Sequence, residues 1–257
     1  MSLSGFVVVI AGASKGIGRE IALRAAADGA NVVINYMSDV KAATAIVAQL
    51  GHERALAMQA DISNSAEMDD LIRVTIARFK KIDILIPNAA YVPEKVLRNI
   101  TEEDFDRAFG VNVKGPCFLA KVGGSKLGSE LQKAIPHMTT GSKIIFISTD
   151  MTDASVIPPH FLLYVSTKAA LNQMVKVLAR DLASSGIRVN AISPGPTSTD
   201  SFHRVVDESK ERMLASHNPF NRIANAEEIA AAVSLLWRKD SDWISGQVLR
   251  VNGGSIV

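Results

Sequence analysis

Phe6-Val7-Val8-Val9-Ile10-Ala11-Gly12-Ala13-Ser14-Lys15-Gly16-Ile17-Gly18-Arg19-Glu20-Ile21-Ala22 passes from an apolar, β-branched run through a glycine loop into a helical pattern. Each glycine has a separate use in that context. Gly12 permits a tight turn, Gly16 lets the backbone approach a pyrophosphate, and Gly18 lets helix and strand pack closely, with the helix N-terminus facing the anion. The stretch therefore predicts a strand, a phosphate loop and a helix, the start of a dinucleotide-binding unit.

Working outward, further short apolar runs recur at Asn31-Val32-Val33-Ile34-Asn35, Ala55-Leu56-Ala57-Met58-Gln59, Ile82-Asp83-Ile84-Leu85-Ile86, Lys143-Ile144-Ile145-Phe146-Ile147, Arg188-Val189-Asn190-Ala191-Ile192 and Val248-Leu249-Arg250-Val251. Strands so continuously apolar are buried on both faces, as in a parallel sheet. Between them lie stretches such as 18–28 and 67–79, whose apolar residues recur at three- and four-residue intervals and read as helices. The alternation predicts one α/β domain spanning 1–257, a Rossmann-type, doubly wound, seven-stranded parallel sheet with helices on both faces. Residues 194–225 are poor in strand pattern and rich in polar and turn residues, which marks them as a candidate substrate lid.

Composition narrows the partners. Hydrophobic residues make up 47% and charged residues 21%, enough apolar material for a large core. The 28 basic and 26 acidic residues are scattered along the chain for a net charge of +2, which gives neither nucleic acid nor an anionic membrane a footprint. The run 6–13 is too short to span a bilayer and lacks a preceding basic segment, so a cytoplasmic location is expected. The lone Cys117 has no internal disulfide partner and reads as core filler. His137, His203 and His217 have no partners at metal-ligand spacing, and no metal is expected. Trp237 and Trp243 read as packing residues, and His160 lies four positions before Tyr164 at a plausible pocket rim.

The choice of nucleotide turns on the end of the second strand. An enzyme specific for NAD usually places an acid there for the ribose 2′-hydroxyl, whereas this chain reads Ile34-Asn35-Tyr36-Met37-Ser38. With Lys15 in the loop and Ser38 nearby, a 2′-phosphate meets a cation and a hydroxyl, so NADPH is the expected cofactor.

A second motif, Tyr164-Val165-Ser166-Thr167-Lys168, places a phenol and an ammonium four residues apart, on one helix face. A neighbouring cation favours the phenolate, which is the basis for expecting Lys168 to lower the pKa of Tyr164. On the spacing alone, an ordinary tyrosine and lysine on a solvated helix is the favoured reading.

Taken in order, the glycine loop, Asn88-Ala89-Ala90, Asn112, Ser148-Thr149, the Tyr164 to Lys168 pair and Pro194-Gly195 resemble the short-chain dehydrogenase/reductase family over essentially the whole chain. The resemblance implies a carbonyl reductase. Tyr164 would give the proton, Lys168 would tune it and hold the nicotinamide ribose, and Asn112 would support a proton-relay water. A hydroxyl from Ser148 or Thr149 would orient the carbonyl; the strand alignment favours Thr149 and leaves both open. Cofactor contacts are implied at Gly12, Ser14, Lys15, Gly16, Ile17, Gly18, Tyr36, Ser38, Asp61, Ile62, Asn88, Ala89, Pro194, Gly195, Thr197 and Thr199, besides Tyr164 and Lys168. Asp61 alternatively serves as a turn or helix cap, and the two threonines as plain loop polarity.

Three departures from the family pattern stand out. Ala11 replaces the usual threonine of the loop, at the cost of a hydrogen bond worth about 1 kcal/mol. Ala90 replaces the glycine of Asn-Ala-Gly, and Val122–Gln132 looks like an addition within a long helix. Relatives commonly assemble through that helix, so a homo-oligomer, dimer or tetramer, is implied. The region 148–160 and the loop after Gly195 loosely resemble fungal reductases of polyketide-derived cyclic or aromatic ketones, with carrier-bound 3-oxoacyl groups as the next substrate. The competing reading is a cofactor-binding regulator or scaffold with weak or no catalysis.

Overall fold

The computed structural model describes residues 2–124 and 137–257, with side chains left aside at 122–124. The chain alternates β1 (Val7–Ala11), α1 (Gly16–Ala27), β2 (Asn31–Tyr36), α2 (Val40–Leu50), β3 (Ala55–Gln59), α3 (Ser65–Phe79) and β4 (Ile84–Pro87). It continues through α4 (Glu102–Phe109), α5 (Gly115–Gly124), β5 (Lys143–Ile147), α6 (Leu162–Asp181) and β6 (Arg188–Pro194). The last part holds β7 (Thr197–Ser198), α7 (Asp200–His203), α8 (Glu208–Ser216), β8 (Ala224–Asn225), α9 (Ala226–Leu236) and β9 (Val248–Val251).

Seven strands form one parallel sheet in the order β3-β2-β1-β4-β5-β6-β9, each matching a run read from the sequence. Side chains alternate across it with the two-residue period of a strand. Val8, Ile10, Val32, Ile34, Ile84 and Ile86 join the core under α1, α2 and α9. Val9, Ala11, Val33, Leu85, Ile144 and Phe146 join the core under α3, α5 and α6. Phe146 is wholly buried there, and truncating such a ring to alanine costs about 3–5 kcal/mol. Covering both faces explains why the strands are apolar at nearly every position.

The strand order reverses direction between β1 and β4, where the chain leaves neighbouring strands toward opposite sides. A crevice opens at such a switch point beyond the carboxyl ends of the strands. The loop 12–15, Asn88 and Ala89, and the residues after β5 all lie at that end of the sheet.

Residues 194–225 contain a two-stranded parallel ladder, Thr197↔Ala224 and Ser198↔Asn225, with α7 and α8 between its strands; two-residue strands and short, polar helices leave no periodicity to read. The packing reading of Trp243 and the core reading of Cys117 need correction. Trp237 is buried with its indole N–H donated to Asp28 at 3.1 Å, whereas Trp243 is 100% exposed and packs in no core. Cys117 is only half-buried. Of the Val122–Gln132 addition, residues 122–124 close α5 and the remainder lies outside the described residues. Among the described residues no helix is long and apolar enough to cross a membrane.

Candidate active site

The phosphate loop is shaped by contacts that only glycine tolerates. Gly12 and Gly16 have φ of +67° and +56°, in the left-handed region disfavoured for side-chain-bearing residues. A Cβ on Gly18 would stand 2.3 Å from the Gly12 carbonyl oxygen and 2.5 Å from Asn88 Nδ2, and one on Gly12 would stand 2.8 Å from Ala89. The loop and the end of β4 thus close on each other without side chains between them. Asn88 fastens that closure by donating Nδ2 to the carbonyls of Ala11 and Gly12 at 3.0 and 2.9 Å.

A second brace comes from Asn35 of β2. Its Oδ1 accepts from Gly12 N–H at 3.2 Å, and its Nδ2 donates to the carbonyls of Met58 and Ala60 at 3.3 and 2.9 Å. The visible signal was a single amide closing an otherwise apolar strand. A buried amide there has to be satisfied by neighbouring backbone, and the loop supplies that partner.

Around the loop, Ser14 and Tyr36 are buried while Lys15 and Ser38 are exposed at the rim, and Lys15 supplies the N-cap residue of α1. Ile17 is half-buried beside the core under α1, and Ile62 is buried against Gly115. Asp61 accepts from both the backbone N–H and the hydroxyl of Ser63 at 2.8 Å, which is the turn role weighed for it. Thr197 donates to the Gly195 carbonyl at 2.8 Å, and Thr199 caps α7 through Phe202 N–H. The methyl end of Thr199 borders Gly16, bringing the 194–225 segment against the phosphate loop.

Beyond β5 the two hydroxyls part company. Ser148 donates its hydroxyl to Asn172 Oδ1 of α6 at 2.6 Å, and Asn172 Nδ2 donates to Thr152 at 2.9 Å. The Thr149 hydroxyl instead hydrogen-bonds the Tyr164 phenol. Adjacent residues of an extended segment point to opposite sides, so only one of the pair reaches the phenol.

Lys168 is 2% exposed, donates Nζ to the Ile147 carbonyl at 2.7 Å and lies 5.8 Å from the centre of the Tyr164 ring. Burial draws its pKa down to about 8. Burial also pushes the Tyr164 phenol up to about 12, opposed by the Thr149 hydrogen bond and assisted by the nearby charge of Asp150. The expectation that Lys168 brings the phenol down is therefore corrected. Desolvation of the phenolate dominates, and at neutral pH the Tyr164 phenol is protonated.

Asn112 is 0% exposed and sits in a π-helical turn, Gly110–Lys114, between α4 and α5. Such turns recur at functional sites because they re-aim side chains. Its Nδ2 donates to the Tyr91 carbonyl at 2.7 Å and to Thr167 at 3.0 Å, and its Oδ1 accepts from Tyr91 N–H. Asn112 thus joins the chain after β4 to the turn of α6 that carries Tyr164 and Lys168.

The facing rim is tied down by charge. Lys95 donates to both carboxylate oxygens of Asp104 at 2.8 and 2.7 Å, and its backbone N–H donates to the His160 carbonyl. The Lys95 ammonium, with the backbone and hydroxyl of Thr101, holds the Asp104 carboxyl at about 2. A depressed folded-state pKa stabilises above the ordinary carboxylate value of 3.8 and loses that contribution as pH falls toward 2. Asp104→Asn is therefore expected to lower the melting temperature at pH 7 and to match the unaltered protein near pH 2. Thermal unfolding across that window checks it.

An open parallel sheet with this glycine loop and a half-buried phenol beside a buried lysine at its switch point defines a nucleotide-dependent oxidoreductase. The profile of the family described as enoyl-(acyl carrier protein) reductase matches residues 12–255. The chain is 34% identical over 269 residues to the hydroxynaphthalene reductase-like protein Arp2 of Metarhizium robertsii, covering 99% of this chain and 96% of that one. A short-chain dehydrogenase of Burkholderia cenocepacia solved with NADP superposes with a TM-score of 0.88 at 30% identity, over 99% of both chains. The 3-ketoacyl-(acyl-carrier-protein) reductase of Brucella melitensis complexed with NADH gives 0.84 at 29% identity, over 100% of both chains. The chain belongs to the short-chain dehydrogenase/reductase family.

Among the described residues, no group of three or more His, Cys, Asp or Glu is arranged to hold a metal ion.

Proposed function

We propose that the protein reduces a ketone or similar carbonyl to an alcohol with NADPH. The observation that carries this reading is the constellation beyond β5, in which Thr149 hydrogen-bonds the Tyr164 phenol and the buried Lys168 lies beneath the same ring. The glycine cradle fits a dinucleotide, since a Cβ at Gly12 or Gly18 would fill the close approach between loop and β4. Gly12, Ser14, Gly16, Ile17 and Gly18 would hold the pyrophosphate, with Asn88 and Asn35 bracing them. Lys15 and Ser38 would receive a 2′-phosphate next to Tyr36. Asp61, Ile62 and Ala89 would border the adenine half, and Pro194, Gly195, Thr197 and Thr199 the nicotinamide half.

When bound, the nicotinamide supplies the hydride. Thr149 orients the carbonyl oxygen, and Tyr164 passes its proton to that oxygen as general acid. Lys168, positively charged at neutral pH, would hold the ribose hydroxyls and keep a cation beside the phenol. Ser148 and Asn112 act through others, the first by fixing the β5 end to α6 and the second by fixing α6 to the chain after β4.

A cyclic or aromatic ketone of polyketide type is the substrate class we favour, supported by the likeness to Arp2 and by the run of rings His160, Phe161 and Tyr164 along the rim, with centroids 4.4 and 6.4 Å apart. Residues 194–225 would close over it, in a cytoplasmic homo-oligomer. A carbonyl panel that includes cyclic ketones and 3-oxoacyl thioesters tests the reading. NADPH oxidation is expected with at least one member, more tightly coupled to NADPH than to NADH. NADPH binding without turnover on any member would replace it with a cofactor-binding regulator, and equal affinity for NADH would overturn the nucleotide assignment.

A further inference from the structure

One charged group next to the phenol is unused by that reading. Asp150 follows Thr149 directly and is 4% exposed. Its Oδ2 accepts from Asn252 Nδ2 at 3.3 Å and lies 3.1 Å from where a Gly195 Cβ would stand. Its carboxyl also takes the backbone N–H groups of Asp150 and Met151. The carboxylate is thus enclosed by the segment after β5, the turn after β6 and the C-terminal turn after β9.

That C-terminal turn is itself tied to the candidate lid. Asn252 donates Nδ2 to the Ile256 carbonyl at 2.9 Å and accepts Gly254 N–H at 3.1 Å on its Oδ1. Its backbone carbonyl accepts from Asn218 Nδ2 at 2.8 Å, just beyond α8. A continuous polar chain therefore runs from Asn218 through Asn252 to Asp150, and the next residue back is the hydroxyl partner of Tyr164.

We propose that Asp150 is a further positioning residue of the reductive site, a buried carboxylate that ties the lid and C-terminal turn to the Thr149–Tyr164 pair. The proposal rests on the reading of Tyr164 as proton donor. A fixed negative charge disfavours a second one nearby, so the phenolate is the state that Asp150 opposes. The groups facing it from the packed elements are Tyr164 of α6, Asp153 of the segment after β5, and Arg250 of β9, whose guanidinium is 3.9 Å from Asp153. Of these charges, Asp150 is the one that raises the pKa of the phenol. Lys168 is turned to the Ile147 carbonyl. Burial and Asp153 raise the Asp150 pKa itself, yet over the alkaline range in which a tyrosine ionises the carboxylate is charged.

The test is a titration of NADP+-loaded protein carrying 13Cζ-labelled tyrosine, with Tyr164 assigned among the three tyrosines by its loss in Tyr164→Phe. Asp150→Asn should move the Tyr164 midpoint down by about one pH unit, the lower end of what one neighbouring charge does. Asp150→Ser, which keeps a hydrogen-bonding oxygen without the charge, should do the same. Asp153→Asn should move it less. An unmoved midpoint in a folded Asp150 variant, or an equal shift from Asp153→Asn, overturns the proposal. The midpoint is read without turnover. Wild-type turnover in Tyr164→Phe would sink the proton-donor reading, whereas an unmoved midpoint would sink only the role of Asp150.

Discussion

Tyr164→Phe is expected to lower turnover by about 10²–10⁴-fold, the usual contribution of a positioned general acid, while NADPH affinity stays within a few-fold of the unaltered protein. The two halves of that outcome follow from the geometry. The substitution removes one oxygen, the partner of the Thr149 hydroxyl, and leaves the ring that lies over Lys168. The phosphate loop is held by Asn88 and Asn35 instead. Steady-state NADPH oxidation on the best substrate of the carbonyl panel, with fluorescence titration of NADPH binding, separates the halves. Retained turnover would mean that the proton comes from elsewhere. Lost binding would mean that the phenol helps form the nucleotide site.

The same residue shows where the sequence stopped being informative. The order of motifs placed Tyr164, Lys168 and Asn112 in one site, and the apolar continuity of seven runs placed the sheet, because both depend on local composition. The direction of the Tyr164 pKa depends on three-dimensional burial. Helical spacing puts Lys168 on the same face, yet its ammonium is drawn to the Ile147 carbonyl, and desolvation then outweighs it. Asn35 offered only the signal of an amide closing an apolar strand, and Asn172 and Asp150 were unreadable. Each is a polar residue whose partners lie far along the chain, at Ala60, Ser148 and Asn252. The short β7 and β8 pair through a loop contact that no periodicity announces.

Ser148 and Thr149 make the sharpest case, and substituting them separately gives the second large effect. The sequence left them open because a shift of one residue in an extended segment exchanges the side to which a side chain points. In the structure Ser148 is spent on Asn172 at 2.6 Å, a bond that anchors the end of β5 to the middle of α6. Thr149 meets the phenol. Thr149→Val keeps the branched shape and removes the hydroxyl, so the carbonyl loses one orienting hydrogen bond and Tyr164 loses the hydrogen bond that opposes the effect of its burial. A fall in kcat/KM of about 10²-fold is expected, the scale of removing one donor that stabilises developing oxyanion charge. Ser148→Ala should instead leave Asn172 Oδ1 without that donor, at a stability cost of about 1–3 kcal/mol for a buried unpaired group, with kcat/KM changed only a few-fold. The contrast between a kinetic loss in one variant and a thermal loss in the other is the discriminating result. If Ser148→Ala carried the kinetic loss, the orienting hydroxyl would be Ser148, and the segment after β5 would have to turn by one residue when substrate binds.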